Sequence, residues 1–168
     1  MLVYHPALDA HHCMLRVLRL LHKAPGKKLQ IDQLRILDFY LLFPHLLTDV
    51  SVLRGQVAKK NKFAKRASKY NRVPSPRMLM LRLREVQTAA VHTLASKGML
   101  NEGGLRDGEV ALADLVIGPE LQALIDDQTP EDKEVVDYLS TQITRIPVAG
   151  SDGLKSRTGL LEHRYDPA

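Results

Sequence analysis

Residues 75–113 read SPRMLMLRLREVQTAAVHTLASKGMLNEGGLRDGEVALA. Ser75-Pro76 is an N-cap followed by a proline at the first helical position, where a missing N–H costs nothing. Leu79, Leu83, Val86, Ala90 and Leu94 then recur at helical spacing, which predicts a long amphipathic helix. Gly98 suits the left-handed residue that follows a helix end. Met99-Leu100 reads as a short strand, Gly103-Gly104 and Asp107-Gly108 as turns, and Val110 with Leu112, or the alternate set Ala111, Ala113 and Leu115, as a return strand. A helix, a short strand, a turn and a second strand is the order of the last helix and wing of a winged helix. The expected fold is therefore mainly α, a helical domain with a winged-helix-like β-hairpin.

Working outward, the upstream chain is also helical in pattern. Asp9 is a plausible N-cap for a helix to about Lys23, with Met14, Val17, Leu18 and Leu21 as its stripe, ended by Pro25-Gly26. After an extended approach at Leu29 to Ile31, Asp32 is placed to cap a second helix. Leu34, Leu37 and Leu41 continue one stripe there, and Ile36, Phe39, Tyr40 and Phe43 widen it until Pro44 ends or kinks the helix. A helix apolar on most sides expects partners on more than one face. Asp38 lies in its middle, three residues from Arg35, a spacing that allows an ion pair. Downstream, Gly118-Pro119 starts a short helix to about Asp126. Thr129-Pro130 starts a last one with Val135, Val136, Leu139 and Ile143 buried. The reading divides the chain into an N-terminal helical part (1–47), a basic connecting segment (48–74), a winged-helix-like part (75–146) and a polar tail (147–168). The tail has no adequate apolar stripe and should be mobile alone or pinned to a partner.

The chain has 168 residues, of which 45% are apolar, 26% charged and only 5% aromatic. That is ordinary for a globular protein and excludes a disordered polar chain. No run reaches the roughly 18–20 unbroken apolar residues of a membrane span, because Ile36 to Leu47 is interrupted by Asp38, Pro44 and His45. Residues Met1 to Pro6 lack the basic start and apolar middle of a signal peptide, and the single cysteine, Cys13, makes no internal disulfide. A cytoplasmic location is expected.

Charge is strongly polarised. Arg54 to Arg84 carries eleven basic residues and no acid, against 13 basic and 19 acidic residues in the rest of the chain. Residues 101–140 are the counterpart, with eleven acids against Arg106 and Lys133. Within the basic segment, Lys59, Lys60, Lys62, Lys65, Arg66, Lys69 and Arg72 are the candidate contacts to nucleic acid or to an acidic partner. Phosphate contact needs only such cations at loose spacing, and nothing in the segment encodes base readout. A solvated linker is the plain alternative. In the second helix, Leu37, Phe39, Tyr40, Leu42 and Phe43 are candidates for a partner interface, with an ordinary core role as the alternative.

Catalytic chemistry finds little support. His5, His11, His12 and Cys13 crowd the N-terminus, but three of them are consecutive, and on a helix they point in different directions; no metal site is expected. Cys13 has no identifiable base, and the glycines at 103, 104 and 108 lack both the Walker and the dinucleotide spacing. No catalytic residue and no cofactor is expected.

Two motifs carry a family resemblance. One is His5-Pro6-x-Leu8-Asp9-x-x-His12 with the following Leu15, Arg16, Leu18, Leu20 and Leu21. The other, more specific, is Leu34-Arg35-Ile36-Leu37-Asp38-Phe39-Tyr40-Leu41-Leu42-Phe43-Pro44. Together they resemble the middle component of bacterial ABC three-component systems, among them the Lamassu-type antiphage operons. The resemblance covers residues 5–47 and extends loosely to the helix at 75–100. It implies a non-enzymatic subunit that joins an SMC-like ABC ATPase to an effector, often a nuclease, with non-specific DNA contact open and no membrane partner. The family offers no catalytic residues to carry over. The competing expectation is a winged-helix DNA-binding transcriptional regulator. A small nuclease is the least favoured, because its metal site would need clustered carboxylates.

Overall fold

The structure is a computed structural model and describes residues 6–51 and 55–161. Helix α1 spans Ala10–Lys23. Asp9 caps it as expected, accepting the backbone N–H of His11 at 2.8 Å and of His12 at 3.1 Å. Pro25 and Gly26, the latter at φ +63°, turn the chain into strand β1, Lys28–Gln30. Helix α2, Ile31–Leu42, follows without a side-chain cap, and Asp32 lies inside its first turn rather than at the cap. Pro44 ends it by opening a 3-10 segment, Pro44–Asp49.

Helix α3 spans Val57–Ala64 and α4 spans Pro76–Ser96. Ser75 caps α4 by accepting the Met78 N–H at 3.4 Å, and Gly98 takes the left-handed conformation beyond its end. The buried face of α4 is Met80, Leu83, Gln87, Ala90, Val91 and Leu94. Leu79 and Val86, expected in the stripe, are only half-buried at its margin. Beyond α4, Asn101 caps a short helix α5, Glu102–Arg106, inside the stretch expected to be a plain turn. Strand β2, Glu109–Ala111, then pairs antiparallel with β1, with Leu29 opposite Val110. The expected strand at Met99-Leu100 reduces to a single bridge, Leu100 to Leu112. Helices α6, Pro119–Asp126, and α7, Pro130–Thr141, complete the middle of the chain; Thr129 caps α7 by accepting the Asp132 N–H at 3.1 Å. The fold is mainly α with a minor two-stranded antiparallel sheet.

Helix α1 is the hub, packed against α2, α4, α6 and α7. Helix α2 lies against α1, α4, α7 and the sheet, so Ile36 to Tyr40 are five consecutive buried residues. The need of an all-round apolar helix for several partners is met within the chain. The tail departs from expectation. Residues Leu154–Thr158 form helix α8 against α2, and Leu154, Leu160 and Leu161 are buried in the common core. Lys155 Nζ reaches Asp32 Oδ2 at 2.9 Å. The chain passes so closely that a Cβ on Gly153 would collide with the Ala149 carbonyl. The apolar residues of this stretch follow no helical or strand period, so no stripe marks them in advance. Residues 162–168 lie outside the described part.

Candidate interaction surfaces

The most enclosed polar chemistry joins α1, α2 and α4. Asp38, fully buried, pairs with Arg16 rather than Arg35: Arg16 Nε lies 2.6 Å from Oδ1 and Nη2 3.3 Å from Oδ2. Gln87 donates to Asp38 Oδ2 at 2.9 Å and to the Arg35 carbonyl at 3.2 Å. Burial alone would lower the Arg16 guanidinium; the facing Asp38 carboxylate outweighs it and holds the group charged. Arg35 instead pairs with Asp32 at 3.1 Å. Cys13 Sγ sits 3.9 Å from Asp38, and burial, then that carboxylate, push the thiol up to about 12. The thiol stays protonated and is no nucleophile near neutral pH. A bidentate pair with a third donor satisfies the charge inside the core. The unpaired look of Asp38 within an apolar run was its only sequence signal, since the partner lies 22 residues away on another helix.

Helix α3 and the turn after it hold the candidate cations, and the structure divides them into two rows. One row docks on α7. Lys62 pairs with Glu134 and Arg66 with Asp132, while Lys59 Nζ stands 4.4 Å from the Tyr138 ring centroid. Phe63, fully buried, anchors this row edge-on to Tyr138 at 5.4 Å. The segment expected to be too polar for the core therefore contributes one of its largest buried side chains. The other row, Lys60, Lys65, Lys69 and Arg72, is exposed, and none of the four makes an ion pair among the described residues. Lys69 lies 4.9 Å from the exposed Tyr70 ring.

The candidate interface on α2 is corrected. Leu37, Phe39, Tyr40 and Phe43 are all buried, and Leu42 is half-buried. Phe39 sits at the centre of an aromatic group, 5.4 Å from Tyr40 and 5.3 Å from Phe43. Apart from half-buried Leu42, these side chains are enclosed by the molecule's own helices, the alternative that the sequence left open. Burial also raises the Tyr40 hydroxyl, with the nearby Asp49 adding to it.

Exposed apolar chemistry lies elsewhere. A groove of about 580 Å³ runs between α1, the end of α4 and α6. Met14, Leu15, Leu18, Leu94, Met99, Leu121 and Leu124 line it, with Asp9, His11, His12 and Lys97 around it. A second exposed patch on α4 combines Met78 and Leu81 with Arg82 and Arg84. Neither was singled out in the sequence, because each needs residues from separate elements or an outward helix face that the stripe analysis discards.

Among the described residues no three or more His, Cys, Asp and Glu side chains gather as a metal site, and no helix is long and apolar enough to cross a membrane. What the fold presents is a small, mainly α-helical body with charged and apolar surfaces. The family model for the ABC-three component (ABC-3C) system Middle Component 5 matches residues 2–166, and the chain belongs to that family. It is thus an accessory component of an ABC three-component defence system. No curated protein and no solved structure matches it.

Proposed function

We propose that this chain is the non-catalytic scaffold of an antiphage complex of the Lamassu type, joining an SMC-like ABC ATPase to its effector, often a nuclease, in the cytoplasm. The exposed cation row, Lys60, Lys65, Lys69 and Arg72, faces an acidic surface of the ATPase or the phosphates of bound DNA. The observation that carries this reading is the division of α3. In α3 and the turn after it, Lys62 and Arg66 are paired with acids of α7, whereas Lys60, Lys65, Lys69 and Arg72 make no ion pair among the described residues. An exposed cationic edge on a body with an enclosed polar core suits positioning rather than turnover.

Co-expression with the neighbouring components, followed by mass measurement of the assembly, tests it. The parent chain is expected to enter a complex with both. Reversing Lys60, Lys65, Lys69 and Arg72 to Glu should leave the helical circular dichroism unchanged and remove the chain from the assembly or abolish its salt-sensitive DNA retention. A lone monomer that binds neither neighbour would sink the reading. Sequence-specific DNA binding by the chain alone would instead favour a regulator.

A further inference from the structure

Helix α3 carries cations on two sides, and on one of them the chain itself already supplies the anions. Lys59, Lys62, Phe63 and Arg66 recur at i, i+3, i+4 and i+7 and so share one face. Phe63 anchors that face, buried edge-on to Tyr138. Around it, Lys62 meets Glu134, Arg66 meets Asp132, and Lys59 stands over the Tyr138 ring. The charged contacts are less enclosed than the anchor. The Lys62 side chain is 55% exposed, and a cleft of about 360 Å³ opens beside the pairs, with Lys62, Arg66, Glu131 and Glu134 among its walls. Exposed ion pairs are weak and screened by salt. Two long side chains in that setting can exchange one anion for another while Phe63 stays in place.

The outward chemistry of α3 favours phosphate as the competing anion. Arg54 to Arg84 contains no acid. Lys60, Asn61, Ala64 and Lys65 are exposed, with no large apolar side chain among them. Val57 and Tyr70, the exposed apolar residues here, lie at the start of the helix and in the turn beyond it. Protein interfaces are depleted in lysine and centre on apolar and aromatic residues, whereas phosphate contact needs only cations.

We propose that the acids of α7 are a built-in brake on DNA binding by α3. Glu134 and Asp132 hold Lys62 and Arg66 until the phosphates of duplex DNA replace them, joining these two cations to Lys60, Lys65, Lys69 and Arg72. The proposal rests on the part of the scaffold reading that makes α3 a cationic contact surface, and it names the ligand of that surface and its regulation.

The test follows binding of the full chain to a short fluorescent duplex of arbitrary sequence, by anisotropy over a salt series. Glu131→Gln, Asp132→Asn and Glu134→Gln together should tighten binding about tenfold and steepen the salt slope by about 1.8, the increment for two more phosphate contacts. Asp132→Asn alone should tighten it severalfold, and decides the matter if the triple variant loses its helical circular dichroism. Lys62→Gln with Arg66→Gln should cancel the gain of the triple variant yet change the parent little, because those cations are engaged there. Neutralising the exposed Glu102, Asp114 and Glu120 instead changes the net charge equally and should leave affinity within about twofold. The proposal is overturned if this control set tightens binding as much, or if the Lys62 and Arg66 substitutions weaken the parent as strongly as the triple variant. Absence of binding by parent and triple variant alike at low salt overturns it too, as does a gain confined to an acidic partner protein. In all these cases the scaffold reading stands if the parent chain still assembles with its neighbouring components. A chain that shows the brake but joins neither neighbour keeps this proposal and overturns the scaffold.

Discussion

Arg16–Asp38 and Arg66–Asp132 are the same chemical pair in opposite settings. The first is enclosed between three helices, with side-chain exposures of 9% and 0%; the second lies at the surface, at 32% and 44%. In the core, water cannot replace a lost partner, so each charge depends on the other and on Gln87. At the surface, solvent competes for both charges and salt screens them, so the contact guides docking of α3 more than it holds the fold. The molecule thus has a fixed centre and a charged margin whose strength depends on ionic conditions. That margin also carries the exposed cations Lys60, Lys65, Lys69 and Arg72.

The sharpest way to break this contrast is at its centre. Asp38→Ala leaves Arg16 buried without a counter-charge and should cost about 3–5 kcal/mol in urea unfolding. Replacing both members, Arg16→Met with Asp38→Leu, should recover most of that loss, because no unpaired charge remains. Cys13 reports the same region: it should resist iodoacetamide in the native protein at mildly alkaline pH and react once urea opens the core.

Phe63→Ala comes next. Truncating a buried phenylalanine costs about 3 kcal/mol, and here the effect should be concentrated in α3, seen as faster amide exchange over Val57–Ala64 than over α1. Uniform exchange loss in both helices would show that α3 is integral to the core and would dissolve the distinction drawn above.

A smaller effect is expected for the marginal pair. Arg66→Ala or Asp132→Ala should cost only about 0.2–1 kcal/mol, less in high salt. A salt-insensitive loss as large as that of Asp38→Ala would mean that the two settings are equivalent. The smallest effect concerns Asp32, which links α2 to the tail. Burial alone would raise its carboxyl, but the Lys155 hydrogen bond and charge, and then those of Arg35, outweigh it and hold it below the usual range. With a depressed folded-state value, its contribution is complete above the ordinary carboxylate range and is lost as pH falls through the folded value. Asp32→Asn should therefore flatten the acid limb of a stability profile measured by circular dichroism, leaving the neutral region shifted only slightly.

Much of the scaffold was legible because it rests on local chemistry. Asp9, Ser75 and Thr129 cap the helices they precede, Gly98 takes its left-handed turn, and Val135, Val136, Leu139 and Ile143 are buried as their spacing requires. The cations of α3 were visible as a block, but their division was not, since Glu134 and Asp132 lie more than sixty residues away in the chain. For the same reason the spacing offered Asp38 the nearer Arg35 and gave no sign of Arg16. The α2 aromatics were left open between a partner interface and the core, because an over-apolar helix signals that it needs neighbours without saying whether they belong to the same chain; the structure buries them. The groove had no signal at all, being composed of residues that are individually unremarkable.

The sequence by itself determined the helical class, most helix boundaries, the charge polarity and, through the motifs at 5–12 and 34–44, the family. These depend on interactions within a few residues, or on patterns that survive without a fold. Tertiary structure decided which charges are satisfied and which are left over, that the tail closes on α2, and where apolar surface stays open. Those outcomes depend on which distant side chains share a volume, and only packing brings Arg16 to Asp38, α7 to α3 and Leu124 to Leu15.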